Sequence, residues 1–260
     1  MKWQRLRKLA LIKPNLQHFW LALSFYTRLS CPKNLDYSQL PQATIYLPLI
    51  GWLVGGISAI TFYVAQFLWS PTIAILLALI SGIFVTGAFH EDGFADVCDG
   101  FGGGYDKTRI LTIMKDSAIG VYGALGLGLL LALKIGVLIS LPIQKIPVIL
   151  ISAHSISRLM PLFLMYFYDY ARIENSKSQI AVYKPTQTDL IFAAFLAVLP
   201  LFLLPMICWF SILSIGLASV FLGRYFYKHI GGYTGDCLGA TQQVCETIFY
   251  LSVSALWKFI

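Results

Sequence analysis

Half of the chain's carboxylates, Glu91, Asp92, Asp96, Asp99, Asp106 and Asp116, fall within 26 consecutive positions of a 260-residue sequence that holds only 12 acidic residues. Crowding of this kind needs a counter-charge. If the segment continues the apolar run before it as a helix, Asp92, Asp96 and Asp99 stand at i, i+4 and i+7 and project from one face, repelling one another. A hard divalent cation removes that repulsion, and magnesium binds through one or two carboxylates while keeping coordination positions for water and substrate phosphate oxygens. The spacing therefore suits a metal-phosphate site, with Asp92, Asp96 and Asp99 as ligands of Mg2+. Gly93, Gly100, Gly102, Gly103 and Gly104 leave backbone open to a phosphate, and Arg109 and Lys115 add positive charge for a diphosphate. These are the parts of a phosphoryl-transfer site: metal, positioning groups and charge stabilisation. A solvated acidic loop is the simpler alternative, but it accounts for neither the register nor the five glycines.

Four further places bear on the same chemistry. Gly231-Gly232-Tyr233-Thr234-Gly235-Asp236 with Gly239 is a second glycine-rich segment, either a phosphate cradle supplying Gly235 and Asp236 or a plain turn. Arg158 lies near the middle of an apolar run with His154 one turn before it, and an arginine there is either functional or paired inside the bundle. Arg28 follows the aromatic segment 19–26 and is equally read as a substrate contact or a positively charged interfacial anchor; Arg172 invites the same two readings. Gly51, Gly55 and Gly56 read as helix-packing contacts.

The elements that must position these residues are membrane spans. Hydrophobic residues make up 58% of the chain and charged residues 12%, a balance that a water-soluble fold of this size could not carry without large exposed apolar patches. A helix needs about 20 apolar residues to cross a bilayer core. Runs at 44–69, 72–89, 118–140 and 147–168 meet this, with Lys134 near the far end of the third snorkelling to the interface. The uncharged run 190–223, about 50 Å as one helix, divides at Pro200 and Pro205 into two short spans. A last run, 244–257, is short and contains Glu246. With the N-terminus cytoplasmic, fifteen Lys and Arg fall in inward segments, including Lys2, Arg5, Arg7, Lys8, Lys13, Arg172 and Lys177, against Lys145 and Lys258 outside. The expectation is an all-α, polytopic transmembrane helical bundle of about seven spans. It forms a single integral membrane domain over 1–260 with a cytoplasmic active-site segment at 90–120. The formal charge of +7 lies around apolar spans and not in a stripe beside stacking aromatics, so the expected partner is the lipid bilayer and no nucleic acid. Five cysteines without CxxC or zinc spacing read as reduced thiols, and the N-terminal segment lacks the apolar core and cleavage site of a signal peptide.

The string HEDGFADVCDG at 90–100, KDSAIG at 115–120 and GGYTGDCLGA at 231–240 resembles the adenosylcobinamide-GDP ribazoletransferase, or cobalamin synthase, family. SFYTRL near the N-terminus, PLIGWLVGG in the first span and the Ser-Arg pair of the fourth extend the likeness over nearly the whole chain. The resemblance implies a magnesium-dependent enzyme of the bacterial cytoplasmic (inner) membrane. Its reaction transfers adenosylcobinamide phosphate from adenosylcobinamide-GDP to alpha-ribazole or its phosphate and releases GMP. On that basis Asp92, Asp96 and Asp99 hold Mg2+ against the diphosphate, and Arg109 and Lys115 neutralise the leaving GMP. Arg28, Gly102, Gly103, Arg158, Gly235 and Asp236 are further binding candidates. His90, Asp116 and Asp236 are alternative proton acceptors. Self-association, or association with other cobalamin assembly enzymes, stays open.

Two other classes compete with this reading. A CDP-alcohol phosphotransferase requires Asp-Gly followed closely by Ala-Arg, whereas Asp96 follows Ala95 here. A transporter predicts ionisable groups at mid-membrane among broken helices, and the sequence offers only His154 and Arg158 while its carboxylates cluster at a membrane edge.

Overall fold

A computed structural model describes residues 16–171 and 183–260. Lys2, Arg5, Arg7, Lys8, Lys13, Arg172 and Lys177, used in the charge comparison, lie outside them. The described residues are helical: α1 (Leu16–Tyr26), α2 (Leu40–Ala43), α3 (Leu47–Ala65), α4 (Pro71–Thr86), α5 (Phe89–Gly103) and α6 (Lys107–Ile113) are followed by α7 (Val121–Ile139), α8 (Ile146–Ser157), α9 (Met160–Phe167), α10 (Gln187–Val198), α11 (Ser211–Ile230) and α12 (Gly235–Trp257). α3, α4, α8 and α9 each carry proline in the first turn, where its missing N–H has no intrahelical partner to lose. α10 starts with a reciprocal cap between Thr186 and Asp189.

Four helical segments are long and apolar enough to cross a membrane, and the bent pair α4–α5 makes a fifth. The segment α8–α9 is 83% buried over its most apolar window, whereas α7 and α11 are each only 28% buried, so the first is the centre of the bundle and the other two form its apolar outside. α3 packs on α8 at backbone distance: a Cβ on Gly51 would lie 2.2 Å from the His154 carbonyl oxygen, and one on Gly55 2.7 Å from the Ile151 Cα. Gly56 faces open space, so the packing role expected for all three glycines holds for two of them.

Three further expectations change. The run 190–223 does break at its prolines, but through two 3-10 turns, Leu199–Leu203 and Met206–Phe210, that separate α10 from α11. The last helix is not the short run 244–257: α12 has 23 residues, about 34 Å of helix. Its polar first half hides it from a hydropathy reading. Lys134 does not snorkel; it is 2% exposed and faces α12.

Candidate active site

α4 and α5 meet at 90°. Gly87 and Ala88 both sit in the left-handed region, at φ 67° and 60°, which ends α4 and turns the chain before His90. The Arg28 side chain lies across this corner, its Nε 2.3 Å from where a Gly87 Cβ would stand, and the Arg28 amide donates to the Val85 carbonyl at 2.8 Å. Arg28 is thus exposed and held at the corner that sets the direction of α5.

α5 is helical from Phe89 to Gly103, so the i, i+4, i+7 register of the aspartates is real. Their environments differ. Asp92 is exposed, Asp96 half-buried and Asp99 buried. The Asp99 carboxylate accepts from the amides of Gly120 at 2.7 Å and Gly123 at 2.8 Å, capping the start of α7. Gly120 and Gly123 are glycines because a Cβ on either would strike that carboxylate, at 2.4 and 2.3 Å. Among the described residues no three His, Cys, Asp or Glu side chains gather to hold a metal ion, so the expected three-aspartate cluster is not assembled. The physical reason is that Asp99 is turned toward α7.

The N-terminal half of α5 packs on the start of α12. A Cβ on Gly93 would lie 3.0 Å from both the Cα and the carbonyl oxygen of Asp236, and one on Gly239 would lie 3.2 Å from the His90 carbonyl oxygen. The two glycine-bearing motifs, 130 residues apart in sequence, therefore meet backbone to backbone. Asp236 lies one residue inside α12, with Thr234 as N-cap donating its hydroxyl toward the Asp236 carboxylate at 3.3 Å. Gly235 beside it has open space where a side chain would be.

The remaining glycines serve packing. Gly100 and Gly104 admit Met114 and Ile110, Gly102 admits the Tyr122 ring, and Gly103 lies in contact distance of Ile113. Gly102 and Gly103 are inside α5, not in a phosphate-binding loop. α6 is capped by Asp106, whose carboxylate accepts from the Arg109 amide at 2.9 Å; the side chains of Arg109 and Lys115 are exposed. Asp116 is exposed in the 114–120 loop and accepts from the Ala118 amide. Lys107 reaches the neighbourhood of Gly231. The 169–171 and 231–233 segments pair through their backbones: the Ala171 amide donates to Tyr233 at 2.8 Å and the Tyr233 amide to Asp169 at 3.1 Å. Gly232 permits this, since a Cβ there would sit 2.1 Å from the Asp169 carbonyl oxygen. Burial first, with Tyr170 and Asp169 adding to it, pushes the Tyr233 phenol up to about 12, so it stays a neutral donor at physiological pH.

Beneath the motif lies a buried polar network that the sequence reading split into unrelated pieces. Lys134 Nζ is 2.7 Å from both Glu246 Oε1 and Gln243 Oε1. Glu246 Oε2 accepts from Gln242 at 2.7 Å and lies 3.3 Å from His154 Nδ1. Arg158 Nη1 donates to the His154 carbonyl at 2.9 Å, and Gln243 donates to Glu91 at 2.8 Å. Arg158 is thus held in the bundle interior, 2% exposed, in the small cavity it shares with Glu91, Gln243 and Glu246. Glu91 and Gln243 were missed. The available signal was the polar set Gln242, Gln243 and Glu246 at helical spacing within an otherwise apolar stretch.

The fold and the site define a helical membrane protein in which an acidic, glycine-rich helix is joined to a second glycine-rich helix start. Residues 18–254 match the cobalamin-5-phosphate synthase family, and the chain belongs to it. It is 41% identical over 249 residues to an adenosylcobinamide-GDP ribazoletransferase of Shewanella frigidimarina, covering 93% of this chain and 95% of the relative. Relatives of the same name from Shewanella amazonensis and Ralstonia nicotianae are 39% and 37% identical, over 95% and 92% of this chain and 98% and 95% of the relative. No solved structure gives a significant match. Family membership sets aside the transporter and CDP-alcohol readings.

Proposed function

We propose that this chain transfers adenosylcobinamide phosphate from adenosylcobinamide-GDP to alpha-ribazole or its phosphate, releasing GMP, at a magnesium-dependent site on the cytoplasmic side of the inner membrane. The supporting observation is the contact of Gly93 with the Asp236 backbone, which brings the Asp92–Asp96 turn against the start of α12. Seven crossings with a cytoplasmic N-terminus, in one membrane domain, are part of the same reading.

Asp92 and Asp96 fit Mg2+: two hard oxygen donors one turn apart on an accessible face, the number magnesium uses when phosphate oxygens and water complete its shell. When bound, the ion supplies charge neutralisation and polarisation at the diphosphate. Asp99 supports the site by fixing α7 against α5. Arg109 and Lys115, whose side chains are exposed, are the cations assigned to neutralise charge on the departing GMP, and the amides opening α12 add donors beside Gly93. In the reaction a ribose hydroxyl oxygen forms a bond to the phosphorus that carries cobinamide, the diphosphate P–O bond breaks, and GMP leaves with the electron pair. The hydroxyl proton passes to a base. Of the three candidates Asp236 is favoured, because its turn abuts Gly93, whereas Asp116 stands in an exposed loop and His90 is buried against Tyr26.

The test is GMP release from adenosylcobinamide-GDP by the purified protein, with and without Mg2+ and alpha-ribazole. Release should require both, and Asp96→Asn should lower it at least about 100-fold while the protein stays in the membrane. Wild-type turnover in Asp96→Asn would remove the proposed metal role.

A further inference from the structure

Beside the junction of α5 and α12 lies a cleft of about 160 Å3, room for a single small ring system and not for a drug-sized ligand. Its walls carry Phe25, Tyr26, Phe89, Tyr170, Tyr233 and His90, and its floor reaches Gly235 and Gly239 at the start of α12. The rings are set as an edge-and-face box. Phe89 meets Phe25 edge-on at 5.4 Å, Tyr170 meets Tyr233 edge-on at 5.7 Å, and His90 lies parallel to Tyr26 with centroids 6.5 Å apart. Resting on the reaction proposed above, we infer that this cleft is the subsite for the heteroaromatic base of alpha-ribazole.

The chemistry of the walls selects among the aromatic or macrocyclic parts of the two substrates. Guanine carries donors on its N1 and N2 edge that need carboxylate or amide acceptors. No Asp, Glu, Asn or Gln side chain lines the cleft among the described residues. The Thr44 hydroxyl, one of its few polar groups, already donates to the Pro41 carbonyl at 2.8 Å. A corrin ring with its amide side chains is too broad and too polar for such a box. A benzimidazole is a flat apolar bicycle whose glycosylated form offers a single ring-nitrogen acceptor, and it suits stacking walls with one donor. Tyr170 and Tyr233 in the same wall carry phenol hydroxyls that can supply that donor. The position agrees with the reaction as well. A base in the box leaves its ribose at Gly235, where the absent side chain keeps the way open to Asp236 and the Asp92–Asp96 turn.

The experiment separates the two substrates. In steady-state assays Tyr26→Ala should raise KM for alpha-ribazole about tenfold and leave KM for adenosylcobinamide-GDP and kcat within about twofold, as expected for loss of one stacking wall. Tyr26→Phe, which keeps the ring, should stay within about twofold of wild type on all three. Equal rises in both KM values, or a loss confined to kcat, would overturn the subsite. Because a variant can misfold, the wild-type protein is also photolabelled with an azidobenzimidazole riboside. Label on residues 25–26, 89–90 or 233–239, displaced by alpha-ribazole and not by GDP, supports the subsite. Label elsewhere, or displacement by GDP, removes it. Absence of ribazole-dependent GMP release by wild type would instead bring down the reaction assignment and this subsite with it, whereas normal release with label elsewhere overturns the subsite alone.

Discussion

Asp99 and Asp96 look equivalent in the sequence and are not equivalent in space, and this yields opposite expectations for the same substitution. Asp99 accepts two backbone amides and caps α7, so Asp99→Asn replaces a charged acceptor with a weaker one. The cost is about 1–2 kcal/mol, read as a lower melting temperature, with GMP release per folded molecule largely kept. Complete loss of release in a folded Asp99→Asn protein would return that residue to the metal shell. The pair Lys134 and Glu246 calls for a different experiment, since both charges are almost wholly buried. Lys134→Met takes the nearest cation from the buried Glu246 carboxylate and should cost about 3–5 kcal/mol, whereas Lys134→Met combined with Glu246→Gln should recover most of that loss. A double-mutant cycle on thermal unfolding measures the recovery, and additive losses would show that the pair does not act as a unit.

At the scale of elements, the fold depends on close approaches that only glycine allows. Gly93→Val would force α5 away from the start of α12 and should abolish turnover, while Gly128→Val, at a position where nothing lies within 4 Å, should leave both turnover and membrane yield unchanged. If Gly93→Val retained activity, the joining of the two motifs would not matter to the site. These packing roles explain how far the sequence was legible. The apolar runs announced α3, α4, α7 and α8–α9, because hydropathy reports what faces lipid. It could not announce the right-angle corner at Gly87 and Ala88, since an alanine with φ 60° has no sequence mark. Nor could it report the full length of α12, whose polar residues are buried among other helices and look like a loop. The acidic motif was legible as a helix register; which aspartate turns inward depends on α7, a non-local contact. Gly102 and Gly104 were read as open backbone, but the room they leave is filled by Tyr122 and Ile110.

At the scale of the whole molecule, the contacts assign segments to opposite ends of the bundle independently of charge. α7 begins at the Asp99 cap and runs for 19 residues, about 28 Å, so the Lys145 turn after it lies one bilayer-core thickness from the acidic motif. α12 begins beside Gly93 and runs for 23 residues, about 34 Å, which carries Lys258 to the same far end. Lys107 near Gly231, and the pairing of 169–171 with 231–233, keep three other connections together at the motif end. Lys107, Arg109, Lys115, Arg224 and Lys228 stand toward that end, and the positive-inside rule applied to them supports the proposal made above that it is the cytoplasmic one. The consequence is a labelling pattern. In a cysteine-free background, Asp106→Cys should react with a membrane-impermeant maleimide only in inside-out vesicles, and Lys145→Cys and Lys258→Cys only in right-side-out ones. No disulfide joins Cys31, Cys98, Cys208, Cys237 and Cys245, so replacing them breaks none, although three of them are buried and small apolar replacements are needed there. If Asp106→Cys and Lys145→Cys reacted from the same side, α7 would not cross the membrane, and the site could not stand at one face of a spanning bundle.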